Sequence, residues 1–213
     1  MGAFPVTAKN QKLIEEMWLR EGVQIPQGFL ASDFDEFKQL LAKRRPAVNI
    51  SPLIGAGNLR DEAAGLVARP LTLQELNGEM ELLEKNLEGG AFGISLGLSY
   101  LPGIYADEKE LLALAKMAKK KGAVVSVHLK SEGYELEESV ETVLRLARES
   151  GATFVVSHFK AAGTANWDKF FPAMEKILQA RKEGGLVYFT VYPYTAAQTE
   201  LGSLLPSWFY TAP

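Results

Sequence analysis

The order of hydrophobic and polar positions divides the chain into repeating helix–strand units. Apolar residues spaced three and four apart predict helices, and short runs of small or β-branched residues predict strands. The predicted helices span residues 12–21, 33–45, 72–88, 107–121, 135–150 and 168–181, and the strands span 47–53, 91–98, 124–128, 154–156 and 186–191. Each strand follows a helix, an alternation that is typical of a parallel sheet covered by helices.

Local signals sharpen three of these boundaries. Thr72, followed three residues later by Glu75, is typical of a capping box at a helix start. Ser32 is the predicted N-cap of the second helix, directly ahead of Asp33. Residues 55–58, with the sequence Gly-Ala-Gly-Asn, are predicted to form a loop after the first strand, where glycine lets the backbone turn.

The number of units leaves two architectures open. Five units are too few to close an eight-stranded barrel, so the chain is predicted to form either an open, doubly wound α/β sheet or part of a (β/α)8 (TIM) barrel. The apolar residues near both ends of the chain, such as Phe4 and Trp208, favour the partial barrel. We therefore predict one α/β domain over residues 1–213, truncated at both ends.

The only two histidines of the chain, His128 and His158, occupy equivalent places in consecutive units, each close to the end of a predicted strand. Parallel strands joined by one helix are usually neighbours, so both side chains are predicted to reach the same rim of the sheet. In barrels this rim carries the active site, and two converging imidazoles suit zinc or a similar divalent ion. The alternative is that each histidine caps a strand or is hydrogen-bonded in the core.

The composition of the chain limits the partners and the cellular compartments that can be expected. The net charge of −3 gives no reason to expect a nucleic acid or an anionic membrane as a partner. The chain has no cysteine, which excludes disulfides and thiolate metal ligands. It has no apolar run long enough to span a bilayer and no pattern typical of a signal peptide at its start. We therefore expect a cytoplasmic protein, and the sequence leaves its oligomeric state open.

Several motifs in a fixed order resemble the D-aminoacylase family (N-acyl-D-amino-acid deacylases) of the amidohydrolase superfamily, from about Phe34 to Trp208. They lie at residues 47–49, 59–60, 69–72, 93–106, 128–133, 157–160, 166–167 and 192–196. The longest reads Gly-Ile-Ser-Leu-Gly-Leu-Ser-Tyr-Leu-Pro-Gly-Ile-Tyr-Ala. The resemblance implies a metal-dependent hydrolase barrel, of which this chain supplies about strands 3 to 7 with their flanking helices.

The resemblance also implies roles for individual residues. His128 and His158 match the two metal-ligand histidines at the ends of strands five and six, with zinc as the metal. Lys160 matches a lysine that holds the substrate carboxylate, and Tyr192 matches a substrate-binding tyrosine. The family hydrolyses the amide bond of N-acyl-D-amino acids with a metal-activated water and an aspartate at strand eight. A small N-acyl amino acid is therefore the implied partner.

The sequence departs from the family at several positions. It contains no His-x-His motif of strand one, no strand-eight aspartate, and no metal-ligating cysteine near Gly2 or Ala3. Ala56 stands where the family usually has histidine, Lys130 replaces an arginine, and Thr190 replaces an aspartate. We therefore expect negligible deacylase activity from this polypeptide alone.

Two other functions remain open at this point. A non-catalytic barrel relative, acting as a binding or scaffold protein, would account for Ala56, Thr190 and the missing cysteine. An unrelated barrel could bind phosphate at residues 55–57, although this segment lacks a third glycine and an immediately following helix. Among lesser candidates, Glu132 either supports the histidine site from just after His128 or, more commonly for such a residue, is a solvated loop carboxylate. Tyr100 either packs or lines a substrate pocket.

Overall fold

The structure, a computed structural model, describes residues 5–20, 22–25, 28 and 30–199. Trp208, at the end of the region of family resemblance, lies outside these residues. The described elements, in chain order, are α1 (Gln11–Arg20), α2 (Phe34–Arg44), β1 (Leu53–Gly55), α3 (Ala56–Ala64), α4 (Leu73–Glu88), β2 (Gly93–Gly97), α5 (Glu108–Lys120), β3 (Val124–His128), α6 (Leu136–Ser150), β4 (Thr153–Val156), α7 (Phe170–Lys182) and β5 (Val187–Phe189). Short 3-10 helices at Gly103–Tyr105 and Thr164–Lys169 precede α5 and α7. None of the described helices has the length and apolarity needed to cross a bilayer.

The five strands form one parallel sheet in chain order, β1-β2-β3-β4-β5. A doubly wound sheet reverses its strand order at a switch point, whereas a barrel adds each new strand on the same side of the previous one. The uninterrupted order therefore excludes the doubly wound alternative. It confirms the prediction of a partial barrel.

Successive residues of β3 alternate between the helix-covered core and the inner face of the sheet. Val125 and Val127 of β3 are fully buried and belong to the main apolar cluster. Ser126 and His128, which point to the opposite side, are only partly buried. Successive side chains of a strand face opposite sides of the sheet, so the apolar set packs under the helices. The opposite, inner face carries polar groups such as Ser126 and His128.

The start of the sheet differs from the prediction. The first strand is predicted over residues 47–53, but β1 covers only Leu53–Gly55. Val48 and Ile50, which belong to the predicted strand, are exposed. Leu53 lies opposite Gly93, the first residue of β2. The Pro52 carbonyl still accepts the N–H of Phe92 at 3.1 Å, but residues 47–51 are not paired with β2, so they do not extend the strand.

A helix, α3, replaces the loop predicted at residues 55–58. Gly55 is its N-cap in an extended conformation, so the helix begins immediately after β1. Leu59 and Arg60 are buried, and α3 packs on α4. This packing outweighs the weak helix propensity of the glycine and asparagine in the first turn of α3.

One capping prediction is confirmed and one is wrong. At α4, Glu75 N–H donates to Thr72 Oγ1 at 3.3 Å, and Thr72 N–H donates to the Glu75 carboxylate at 2.7 Å, which completes the capping box. At α2 the N-cap is Asp33, whose Oδ1 accepts the Glu36 N–H at 2.9 Å. Ser32 instead donates its N–H and its hydroxyl to the Glu36 carboxylate, each at 2.8 Å.

A buried ionic cluster joins α3, α4 and α5. Arg60 donates to the Glu110 carboxylate, and the two side chains are 1% and 3% exposed. Glu79 of α4 is fully buried, and neither of its carboxylate oxygens has a hydrogen-bond partner. Burial, followed by the negative charge of Glu110, raises the pKa of Glu79 to about 8 despite the opposing charge of Arg60. Glu79 is therefore mainly a neutral acid at pH 7.

Candidate metal centre

The two histidines lie side by side at the carboxyl ends of neighbouring parallel strands. His128 is the last residue of β3, and His158 follows the end of β4. Their ring centroids are 4.4 Å apart, and Nε2 of His158 lies 2.5 Å from Nδ1 of His128. The structure thus brings together the two imidazoles as the sequence predicted, while their role as metal ligands stays a prediction.

His158 reaches this position through an unusual backbone conformation. Val127 lies opposite Val156, so continuing the register would place Ser157, not His158, opposite His128. An extended backbone would then direct His158 away from the inner face. Instead its φ is +41°, in the left-handed region that costs a non-glycine residue about 1–2 kcal/mol. The turn at this residue brings the ring back to His128.

Thr190, just beyond β5, holds this turn. The His158 N–H donates to Thr190 Oγ1 at 2.9 Å. The Phe159 N–H donates to the Thr190 carbonyl at 2.7 Å, and the Thr190 N–H donates to the Val156 carbonyl at 2.9 Å. The sequence identified Thr190 only as a replacement for an aspartate. Its contacts with the His158 loop depend on the pairing of β4 with β5.

Glu132 connects His158 to Lys160. Its Oε1 lies 2.8 Å from Nδ1 of His158, within ion-pair distance although not aligned for a hydrogen bond. Its Oε2 lies 2.5 Å from Nζ of Lys160, and this Nζ is also 3.1 Å from His158 Nδ1. The Glu132 side chain is only 22% exposed. The interpretation of Glu132 as a solvated loop carboxylate is therefore wrong.

The electrostatics favour a neutral imidazole beside an ionised carboxylate. Burial, reinforced by the neighbouring His158, lowers the pKa of His128 to about 4. Burial alone would raise the pKa of Glu132, but its contacts with His158 and Lys160 outweigh that effect and lower it. At neutral pH the site thus combines a neutral His128 imidazole with an ionised Glu132 carboxylate beside Lys160.

The two imidazoles suit a zinc-like ion, and they supply part of its ligand set. At zinc–nitrogen distances of about 2.0–2.1 Å in a tetrahedral site, two nitrogen ligands lie about 3.3 Å apart. The rings would therefore have to separate by roughly 0.8 Å to share an ion. Both imidazole rings are only partly buried, so they have room to move apart by this distance. Within the described part of the chain, no group of three or more His, Asp or Glu side chains is arranged to hold a metal ion.

Two tyrosines lie next to the histidine pair and Lys160. Nζ of Lys160 is 5.6 Å from the centre of the Tyr192 ring, within the range of a cation–π contact. The ring of Tyr100 meets His128 edge-on with centroids 6.1 Å apart, and its hydroxyl hydrogen-bonds Thr199 at 3.2 Å. The structure therefore places Lys160 and Tyr192, the two predicted substrate-binding residues, together.

The glycine segment at residues 55–57 lies at the N-terminus of α3. A helix does follow it, contrary to the prediction, but the segment is packed against other parts of the chain. Ala56 is 7% exposed, and a Cβ added to Gly57 would lie 3.4 Å from Cδ of Pro102. The glycine thus permits close packing, and this local crowding does not favour a phosphate site.

Known proteins resemble this chain in both sequence and structure. No protein-family model matches the chain. An N-acyl-D-glutamate deacylase of Alcaligenes xylosoxydans xylosoxydans is 36% identical over 172 residues, which are 81% of this chain and 35% of the relative. The solved N-acyl-D-glutamate deacylase from Bordetella bronchiseptica, complexed with zinc and a phosphonate mimic of the tetrahedral intermediate, is 34% identical with a TM-score of 0.75, over 78% of this chain and 35% of that one. A D-aminoacylase reported to define a novel subset of amidohydrolases is 26% identical with a TM-score of 0.75, over 90% and 38% of the two chains.

These matches confirm both the family resemblance and the barrel architecture. The chain spans only 35% of the length of the N-acyl-D-glutamate deacylases that it matches. Zinc binding and deacylation are properties of those longer proteins.

Proposed function

We propose that this chain, a homologue of the D-aminoacylases of the amidohydrolase superfamily, forms the metal- and carboxylate-binding part of a zinc-dependent N-acyl-D-amino-acid deacylase. The observation that carries the proposal is the convergence of His128 Nδ1 and His158 Nε2, 2.5 Å apart, beside the ammonium group of Lys160. The names of the matched relatives support the choice of substrate class.

The proposed roles follow from the chemistry of each group. His128 and His158 hold zinc through the two converging nitrogens, because a neutral imidazole nitrogen offers a lone pair. Zinc, when bound, polarises the substrate carbonyl and lowers the pKa of water. Lys160 binds the substrate carboxylate through its charge, and the Tyr192 hydroxyl supports it by hydrogen bonding.

The proposed activity belongs to a complete barrel and not to the described residues alone. The sheet has five strands, whereas a closed barrel of this type has eight. A catalytic zinc ion generally has three protein ligands and an open position, and the histidine pair supplies two. We therefore propose that residues 1–213 form part of a single, larger barrel domain and show negligible deacylase activity by themselves.

A second candidate is a binding protein without catalysis. It is favoured by the ion pair between Lys160 and Glu132. In this pair the Glu132 carboxylate already neutralises the Lys160 ammonium group, which would otherwise bind the carboxylate of a substrate. This candidate is also favoured by Ala56, the first residue of α3 directly after β1, because its methyl side chain cannot bind a metal ion. Under this alternative the chain would bind an N-acyl amino acid without requiring zinc.

Zinc titration after removal of metal by a chelator tests the proposal. We expect the wild-type chain to bind zinc, and His128→Ala and His158→Ala each to weaken binding about tenfold or more, since each removes one ligand. Lys130→Ala is the matched control, because Lys130 is exposed and adjacent to the site in sequence. Zinc affinity that is insensitive to both histidine substitutions would contradict the proposal.

An activity assay tests the incomplete catalytic set. We expect the chain with zinc and N-acetyl-D-glutamate to show no turnover above a buffer control. Robust turnover by the unmodified chain would mean that a sufficient catalytic set lies within it. Zinc-independent binding of this amino acid, without turnover, would instead favour the non-catalytic alternative.

A further inference from the structure

We propose that Glu132 is a positioning residue that keeps the proton of the His158 imidazole on Nδ1 and so leaves Nε2 free for a metal ion. The inference rests on the proposed function, because it takes His158 as a ligand through Nε2. The two carboxylate oxygens of Glu132 face different partners. Oε1 lies 2.8 Å from His158 Nδ1, and Oε2 lies 2.5 Å from Lys160 Nζ.

The fold fixes the backbone that carries Glu132. Its carbonyl accepts the Ala162 N–H at 2.7 Å, which ties the loop after β3 to the loop after β4. Immediately before it, the Ser131 N–H donates to Ser139 Oγ at 3.0 Å, and the Ser131 hydroxyl accepts the Glu135 N–H at 3.3 Å. The carboxylate therefore reaches His158 from a loop held at both ends.

The histidine pair alone does not determine which ring nitrogen of His158 carries the proton. With the proton on Nδ1, His158 Nε2 accepts a hydrogen bond from His128 Nδ1–H. With the proton on Nε2, His158 donates to His128 Nδ1 instead. Either arrangement satisfies the 2.5 Å contact between the two nitrogens, so the groups around Nδ1 must select one of them.

Two groups of opposite chemistry compete for Nδ1. The Lys160 ammonium, 3.1 Å away, can only donate, and it favours an unprotonated Nδ1. The Glu132 carboxylate carries a negative charge 2.8 Å from Nδ1, at ion-pair distance, and this charge favours a proton on Nδ1. By pairing with Lys160 as well, Glu132 engages the competing donor. A carboxylate that orients a metal-binding histidine in this way generally raises metal affinity.

Nitrogen NMR of the metal-free chain tests the inference independently of zinc binding. The protein has only two histidines, so the ring nitrogens of His158 can be assigned by comparison with His128→Ala. We expect His158 to be protonated on Nδ1 in the wild-type chain and in Glu135→Ala, a control in the same loop whose carboxylate makes no capping hydrogen bond. In Glu132→Ala we expect the proton to shift to Nε2.

A double variant separates this role from simple loss of structure. We expect Glu132→Ala to weaken zinc binding about 10- to 100-fold and Glu132→Ala/Lys160→Met to recover most of that loss, because the competing donor is gone. Loss of affinity through local unfolding would not be rescued by a second substitution.

The outcomes distinguish the inference from the proposed function. A His158 protonated on Nε2 in the wild-type chain, or a failure of Lys160→Met to rescue zinc binding, would overturn the role of Glu132 while leaving the histidine site in place. Zinc binding that is unaffected by both histidine substitutions would overturn the proposed function and, with it, the metal-directed part of the inference. The Nδ1 proton and its shift in Glu132→Ala would then show only that Glu132 sets the tautomer of His158.

Discussion

The backbone N–H of His158 donates a 2.9 Å hydrogen bond to Oγ1 of Thr190, which follows β5. This contact stabilises the left-handed turn, at φ +41°, that directs the His158 ring toward His128. The geometry of the histidine pair therefore depends on the segment after β5, although this segment contributes no histidine to the pair. The position of the two converging ring nitrogens is thus set by backbone contacts as well as by the conformations of the two side chains.

Replacing Thr190 with valine should weaken both the fold and the site. Valine keeps the branched shape but removes the acceptor, so we expect a loss of about 0.5–1.5 kcal/mol in the free energy of unfolding and weaker zinc binding. Thr190→Ser, which retains the hydroxyl, should preserve zinc affinity. Thr142→Val is the control, because its hydroxyl bonds only within α6, to the Glu138 carbonyl at 3.0 Å. Equal zinc affinities for the valine and serine variants would exclude this role of the hydroxyl.

Breaking the buried Arg60–Glu110 pair should be strongly destabilising. Arg60→Leu leaves the Glu110 carboxylate buried without its partner, and we expect a loss of about 3–5 kcal/mol in urea unfolding. Arg60→Leu/Glu110→Leu should recover part of this loss, because the isolated charge is removed. Arg145→Leu breaks an ion pair with Glu108 whose side chains are 40% and 52% exposed, so it should cost less than about 1 kcal/mol. Similar losses in the Arg60 and Arg145 variants would contradict the importance of burial.

Glu79 should make stability fall as the pH rises through the neutral range. Its pKa is raised to about 8 in the folded chain, mainly by burial, against an ordinary value of 4.5 in the unfolded chain. Between these values the folded state binds more protons than the unfolded state, so this group lowers stability by up to about 1.4 kcal/mol per pH unit as the pH increases.

Glu79→Gln removes this titration and isolates its contribution. We expect the variant to gain stability relative to wild type as the pH is raised from 5.5 to 8, measured as the difference between urea midpoints at each pH. Comparing the two proteins at each pH cancels the other titrating groups, apart from the neighbouring Glu110. A difference that stays constant over this range would show that Glu79 is ionised throughout it.

Replacing Gly93 or Gly78 with alanine should change the stability of the chain in opposite directions. A Cβ on Gly93 of β2 would clash with the backbone carbonyl of Val124 in β3, so Gly93→Ala should lower the thermal unfolding temperature markedly. Gly78 lies within α4 and has no atom within 4 Å of its added Cβ. Gly78→Ala should therefore stabilise the chain by about 0.5–1 kcal/mol through helix propensity. A Gly93→Ala variant as stable as wild type would mean that the β2–β3 contact is looser than described.

The sequence predicted the repeating part of the fold well because the apolar spacing there is strong. In α6, for example, Val140 and Val143 are buried as their spacing indicates, and Thr72 with Glu75 forms the predicted capping box. The misses lie where long-range contacts decide. The start of β1 is fixed by its pairing with β2, and α3 is stabilised by burial of Leu59 against local propensity.

At the site, the chain by itself determined which residues could meet, because two strand-ending histidines joined by one helix must reach the same rim of a parallel sheet. It could not determine how they meet. His158 has a left-handed backbone, donates its N–H to Thr190, and lies beside the carboxylate of Glu132. These groups lie in segments that are distant in sequence or offset by one residue in register. Only the tertiary structure places them, since the direction of a side chain at a strand end depends on neighbouring strands and loops rather than on residue spacing.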